Sequence, residues 1–358
     1  MKRTLLFVLL GVVLLSLWGC NEKQATRPFI TKWKGKAGKE LRIPILGTYT
    51  LTWYNEATPN ERHTEQVTVT SHIDEYEMKY CTPHILTPPT DGIYVVEAGP
   101  EGVEGMLMTL SKMEDTDKLR PTLLSVVQFG DVVWKKLDRA FMGCINMQFA
   151  KEIDTPNLSQ CTSLANMFFS CKEFNSPLEH WDVSKITDMS GMFQGCETFN
   201  QPLEKWDVSH VTDMSEMFHG CRSFNQPLAK WNVSNVTDMA NMFGGCENFN
   251  QPLENWDVSQ VTNMGGMFSG CETFNQPLAR WDVAKVIFMD FMFSSCTSFN
   301  QSLEAWKINE LAYPNMQEIF ASSPAGELPF VKKWEEAGGQ FYEVECNPAE
   351  DDEEMEEE

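Results

Sequence analysis

Six cysteines recur at 25-residue intervals, at Cys171, Cys196, Cys221, Cys246, Cys271 and Cys296, with Cys144 and Cys161 ahead of them. A thiolate is a nucleophile and a soft metal ligand, and paired thiols oxidise to disulfides. The spacing speaks against zinc, because none of these residues stands in a CxxC pair and zinc sites are built from close pairs. Cysteines one repeat apart come near disulfide distance, but disulfide geometry is demanding. Buried free thiols behave as small hydrophobes. Reduced packing residues are the expectation, with disulfides as the alternative.

Two files of carboxylates carry the next chemistry. Asp182, Asp207, Asp257 and Asp282, with Asn232 among them, form one file. Asp188, Asp213 and Asp238, followed by Asn263, form the other. Carboxylates stacked one repeat apart can share calcium, a hard ion that prefers oxygen. Alternatively each caps a turn or helix of its own repeat, and capping is the main expectation. The histidines are scattered: His63, His72 and His84 lie early, while His180, His210 and His219 stand at variable repeat positions. No serine elbow, HExxH, glycine-rich phosphate loop or paired acid motif accompanies them. No catalytic residue is assigned, and a non-enzymatic protein without a cofactor is expected.

The elements that hold these files follow from the repeat. Tryptophans stand at 181, 206, 231, 256, 281 and 306, each 25 residues after the last. Around them the text nearly repeats, as in FNQPLEKWDVSHVTDMSEMFHGC and FNQPLAKWNVSNVTDMANMFGGC. A fixed period in this range marks stacked coils. Met189, Met192, Phe193 and Cys196 lie at i, i+3, i+4 and i+7, the spacing of one helical face. Trp206 and Val208 alternate at period two after Pro202, which suits a short strand following a turn. The resulting expectation is an α/β solenoid of 25-residue leucine-rich-repeat-like coils, each a short parallel strand plus a short helix. The recurring Trp, Phe, Met and Cys fill its interior.

Ahead of the repeats, Leu41 to Ile45, Tyr49 to Trp53, Gln66 to Thr70 and Gly92 to Val96 read as short strands between Pro, Gly and Asn joints. They predict a small β-sandwich-like module. The organisation expected is a signal peptide over 1–20, a tether over 21–27, the sandwich over 28–110 and the repeats over 111–325. A C-terminal cap over 326–342 and an acidic disordered tail over 343–358 complete it. Terminal repeats are atypical because they face a cap or solvent. The first is read between Leu124 and Cys144, and Pro329 to Ala337 is read as a capping helix.

Charge excludes one class of partner. With 28 Lys+Arg against 51 Asp+Glu the net charge is −23, and an acidic chain is repelled by nucleic-acid backbones. Met1-Lys2-Arg3 followed by the apolar run from Leu5 to Leu17 has the form of a secretory signal. Leu17-Trp18-Gly19-Cys20 resembles a bacterial lipobox, which implies acylation of Cys20 and membrane attachment through the lipid anchor only.

The text WDVSxVTDMxxMFxGCxxFNQPL resembles the BspA-type leucine-rich-repeat family of bacterial surface lipoproteins, whose repeat is also found in mycoplasma lipoproteins. The lead-in Pro28 to Trp33 and the stretch Leu124 to Cys144 resemble the same family. Its front module is PKD-like, but the WGDG turn after the second strand is replaced here by Trp53-Tyr54-Asn55-Glu56. The resemblance implies a cell-envelope protein at the outer membrane, exposed on the surface and adhesive. Its partners would be an extracellular or host-matrix protein, or another bacterial surface.

Residues that change from coil to coil while their neighbours do not mark the candidate binding stripe. One file is His180, Lys205, Lys230, Asn255 and Arg280; the other includes Lys185, His210 and Lys285. The alternative is a solvated face without a ligand. Two functions follow: protein binding through the stripe, or an envelope scaffold or glycan-capture lipoprotein acting on its own cell.

Overall fold

The computed structural model describes residues 26–73, 79–109 and 119–339. The expected signal peptide, the acylated Cys20 and the acidic tail over 343–358 lie outside the described residues.

Strand alternation builds the front of the molecule. In β1 (Phe29–Gly35) Phe29, Thr31 and Trp33 point inward and Lys34 outward. In β3 (Ile45–Asn55) Tyr49, Leu51 and Trp53 are buried while Thr48 and Thr50 face solvent. The outward threonines meet across the antiparallel pair with β4 (His63–Ile73): Thr48 and Thr68, and Thr52 and Thr64, each stand 3.0 Å apart at their hydroxyls. The remaining strands are β2 (Leu41–Ile43), β5 (Lys79–Thr82), β6 (His84–Leu86), β7 (Gly92–Ala98), β8 (Val103–Met106), β9 (Leu123–Gln128) and β10 (Gln148–Phe149).

These strands do not close as a separate β-sandwich. One mixed sheet runs β10-β9-β1-β7-β3-β4-β5, with β8 also on β3, and β2 and β6 form a two-stranded sheet beside it. The reason lies in β9 and β10, which belong to the start of the repeats. β9 pairs with β1 in antiparallel fashion, and β10 pairs with β9 in parallel. The front sheet therefore runs directly into the first coils. A parallel bridge between Gly105 and Lys136 makes a second junction.

The repeats themselves correct the expected α/β solenoid. Among the described residues the only α-helix is α1 (Pro329–Glu336), at the far end, and from 150 to 309 no strand and no helix forms. Each coil is a run of turns closed by its own buried residues. The amide of Met192 donates to Met189, Cys196 to Phe193, Phe199 to Cys196, Trp206 to Leu203 and Val211 to Val208. All of these closures span three residues, so both ends of each turn point into the core.

Two backbone positions per coil explain why the apparent helical face is not a helix. Gly191 (φ 58°) and Gly195 (φ 71°) are left-handed, as are Glu216 and Gly220, then Asn241 and Gly245, in the following coils. Such residues end a right-handed helix. Freed from i−4 partners, alternate amides reach along the stack instead. Met189, Gly191, Phe193 and Gly195 donate to the carbonyls of Asp213, Ser215, Met217 and His219. The expected strand at Trp206 to Val208 is likewise absent, because those residues sit in the turns just described. The strand-like register is a single parallel bridge per coil, running Ser163, Asp188, Asp213, Asp238, Asn263 and Phe288.

The interior is a set of continuous files. Phe193, Phe218, Phe243, Phe268 and Phe293 stack with ring centroids 5.6–5.7 Å apart. From Trp206 to Trp306 each repeat indole donates to a leucine carbonyl of the preceding coil, as Trp231 does to Leu203 at 3.0 Å. Burial of aromatic and aliphatic area of this kind is the dominant stabilising term. At the far end, Phe330, Val331 and Trp334 of α1 are buried against Phe320 and Trp306. This covers the last coil.

Candidate binding faces of the repeat stack

The cysteine file is interior. Among the described residues nine cysteines, from Cys81 to Cys296, are buried and unpaired. Each repeat thiol donates to a phenylalanine carbonyl of the preceding coil, as Cys196 does to Phe168 and Cys221 to Phe193, both at 3.0 Å. Burial pushes the Cys171 and Cys296 thiols up to about 12. It holds Cys196, Cys221, Cys246 and Cys271 well above the ordinary thiol range. Reactive cysteines need the thiolate and access, and this file has neither.

Both aspartate files are engaged in turns of their own coil. Asp182, Asp207, Asp257 and Asp282 each accept the amide two residues on, at 3.1 Å. Hydrogen bonds from Ser184, Ser209 and Ser259 hold the first three below the usual carboxylate range. Asp188 and Asp213 accept both the amide and the hydroxyl of Ser190 and Ser215. Among the described residues no group of three or more His, Cys, Asp or Glu converges for a metal. The histidines likewise stay apart: His63 stacks on Trp53 at 4.3 Å, and His84 faces Glu65 at 3.3 Å.

The stripe residues His180, Lys205, Lys230, Asn255, Arg280, Lys185, His210 and Lys285 are all exposed. Lys205, Lys230 and Arg280 reach back one coil to Glu179, Glu204 and Glu254 at 3.2–3.5 Å. Lys285 donates to Gln260 at 2.7 Å. The cations therefore form rungs with the acids of the preceding coil. Their side chains remain about 70% exposed, so each pair contributes little to stability and remains open to a partner.

One feature escaped the sequence reading. In the bridge file Asp188, Asp213, Asp238 and Asn263 give way to Phe288, and in the left-handed file Gly191, Glu216, Asn241 and Gly266 give way to Phe291. Whereas Phe193, Phe218, Phe243 and Phe268 are fully buried, Phe288 and Phe291 are 47% and 42% exposed. They edge an open groove of about 520 Å³ lined also by Asn241, Gly265, Gly266 and Asp290. The signal in the sequence is the loss of the polar residue at Phe288.

A family model described as "Mycoplasma protein of unknown function, DUF285" matches residues 135–243 and 225–334. No curated protein and no solved structure matches the chain.

Proposed function

The chain belongs to the DUF285 family, a repeat family related to BspA-like proteins, and on that premise we propose that it is a lipid-anchored surface protein whose repeat stack binds other proteins. The partner is an extracellular or host-matrix protein, or the surface of another bacterium. The observation that carries this reading is the contrast between the two sides of each coil. The buried side repeats almost residue for residue, while the exposed files from His180 to Arg280 and from Lys185 to Lys285 change at every step but one, Lys205 to Lys230. A self-stacking core fixes the spacing of these side chains, and extended arrays of this kind use such faces for contact.

Membrane attachment through Cys20 belongs to the same proposal. Among the described residues no helix is long and apolar enough to cross a membrane. The buried thiols and the turn-bound carboxylates favour a binding protein over an enzyme.

The test is binding of the purified chain to immobilised matrix proteins, with and without calcium, beside a variant carrying Lys205→Glu, Lys230→Glu and Arg280→Glu. Saturable binding that falls at least tenfold in a variant with an unchanged melting profile supports the stripe. Binding that is unaffected by the charge reversals moves the contact elsewhere. Protease treatment of intact cells decides exposure: a protein that survives until the envelope is breached is not displayed outward.

A further inference from the structure

The notch between Asn241 and Phe291 has the form of a ligand site distinct from the charged stripe. Three adjacent coils contribute. The coil in the middle carries Gly265-Gly266, where the preceding coils carry Ser190-Gly191, Ser215-Glu216 and Ala240-Asn241. This glycine pair takes two side chains off the surface and leaves a floor of bare backbone. A Cβ on Gly266 would lie 2.1 Å from the Asn241 Oδ1, so the glycine is what lets that carboxamide lean over the floor. On the other side the next coil raises Phe288, Asp290 and Phe291 into a wall.

The polar groups on this site have capacity to spare. The Asn241 side chain forms no hydrogen bond within the protein among the described residues. Asp290 uses Oδ1 to accept the Gln317 amide at 2.9 Å and leaves Oδ2 unengaged. Phe291 is fixed in place by its backbone. It is left-handed at φ 58°, a conformation that costs a bulky residue about 1–2 kcal/mol and that glycine takes at the same position one coil and four coils earlier without strain. The coil enforces this backbone at the same position in Asn166, Glu216 and Asn241 as well, so the repeat's own geometry holds the ring at the rim.

We propose that this notch binds a neutral sugar residue of a glycan, seated with its apolar face on Phe288 and Phe291 and its hydroxyls on the Asn241 carboxamide and the Asp290 carboxylate. The chemistry selects this class. A pyranose is amphipathic, with a C–H face that packs on an aromatic ring and a rim of vicinal hydroxyls that pair with planar carboxylate or amide groups. The groove holds one or two such rings and is too small for a protein interface, which buries upward of about 1,000 Å². No lysine or arginine lines it, and with Asp290 at its edge in a chain of net charge −23 an anionic sugar is repelled. A quaternary ammonium group takes a cage with rings on several sides, whereas both rings here stand on one wall.

The repeat supplies variants that keep the fold. Phe288→Asp restores the residue found at Asp188, Asp213 and Asp238, and Phe291→Gly restores the residue found at Gly191 and Gly266. The full-length chain and both variants would be applied to immobilised oligosaccharides ending in galactose, glucose or N-acetylglucosamine, to sialylated counterparts and to choline. The expected result is saturable binding to at least one neutral terminus, at least tenfold weaker in each variant, with melting temperatures no lower than the parent's. Binding that is equal in all three proteins overturns the proposal, as does a preference for the sialylated set or for choline, or no binding to any neutral glycan. Because the stripe variant leaves Phe288 and Phe291 untouched, its glycan binding is expected to equal the parent's whether or not it has lost a protein partner.

Discussion

Raising the pH should weaken this fold through its thiols, by an amount that can be worked out. In the unfolded chain a cysteine ionises near 8.5, whereas in the folded protein burial keeps the Cys171 and Cys296 thiols neutral up to about 12 and shifts Cys196, Cys221, Cys246 and Cys271 in the same direction. Above the unfolded value the unfolded state releases protons that the folded state retains. Stability contributed by the neutral thiols is therefore complete below about pH 8.5 and is lost as the pH climbs toward the folded value. At about pH 9.5 each thiol should cost about 1.4 kcal/mol relative to about pH 7.5, so six rungs exposed together cost about 8 kcal/mol. That is comparable to the whole stability of an ordinary domain. Guanidinium unfolding followed by tryptophan fluorescence under reductant, at both pH values, measures it. Lysine and tyrosine ionise higher, and a double variant, Cys221→Ala with Cys246→Ala, isolates the thiol share. Lost packing and lost S–H bonds in the variant count equally at both pH values, but the pH-dependent loss should shrink by about 3 kcal/mol. An identical pH dependence in parent and variant would refute the reasoning.

Four further outcomes are expected. Trp231→Phe removes the indole donor to Leu203, whose carbonyl still accepts the Trp206 amide, so it should cost about 0.5–1.5 kcal/mol, read as a lower denaturation midpoint. Asp213→Ala removes the acceptor of the Ser215 amide and hydroxyl and should cost about 1 kcal/mol. Calcium or a chelator should leave the parent's melting temperature unmoved, since a shift would mean that the carboxylate files share metal after all. Phe291→Gly should raise stability by about 1 kcal/mol through relief of the left-handed backbone, visible in the same unfolding assay.

The files of the core were legible because burial imposes one residue type at one place in every coil: Trp206, Phe218, Cys221 and Phe224 recur 25 residues later as Trp231, Phe243, Cys246 and Phe249. The secondary structure was misread because a helical face and a chain of turns share the same signature. Met189, Met192, Phe193 and Cys196 satisfy i, i+3, i+4 and i+7 in both cases, since turns closed over three residues also bury both of their ends. The distinguishing sign was glycine at 195, 220, 245 and 270, inside what would have been the helix. The pairing of β9 with β1 was not legible, because about 90 residues separate the partners and nothing local specifies it. The aspartate stripes were readable as caps because Asp followed two residues later by Ser is a local turn signal. The notch was not, because it depends on three coils that only the stack brings together.

The amides that run from each coil to the next also decide how the protein responds to tension. Four of them per coil, at Met189, Gly191, Phe193 and Gly195 and their equivalents, are directed along the stack and not along the chain. A pull between the two ends loads the outermost set first, because each coil is held mainly by its neighbours. When that set opens, 25 residues come free at once, and at about 3.3–3.6 Å per residue they lengthen the molecule by roughly 80–90 Å. The remaining coils keep their bonds and their surface. A tether built this way yields to drag in discrete lengths, absorbing each jerk with one coil while the rest stay folded.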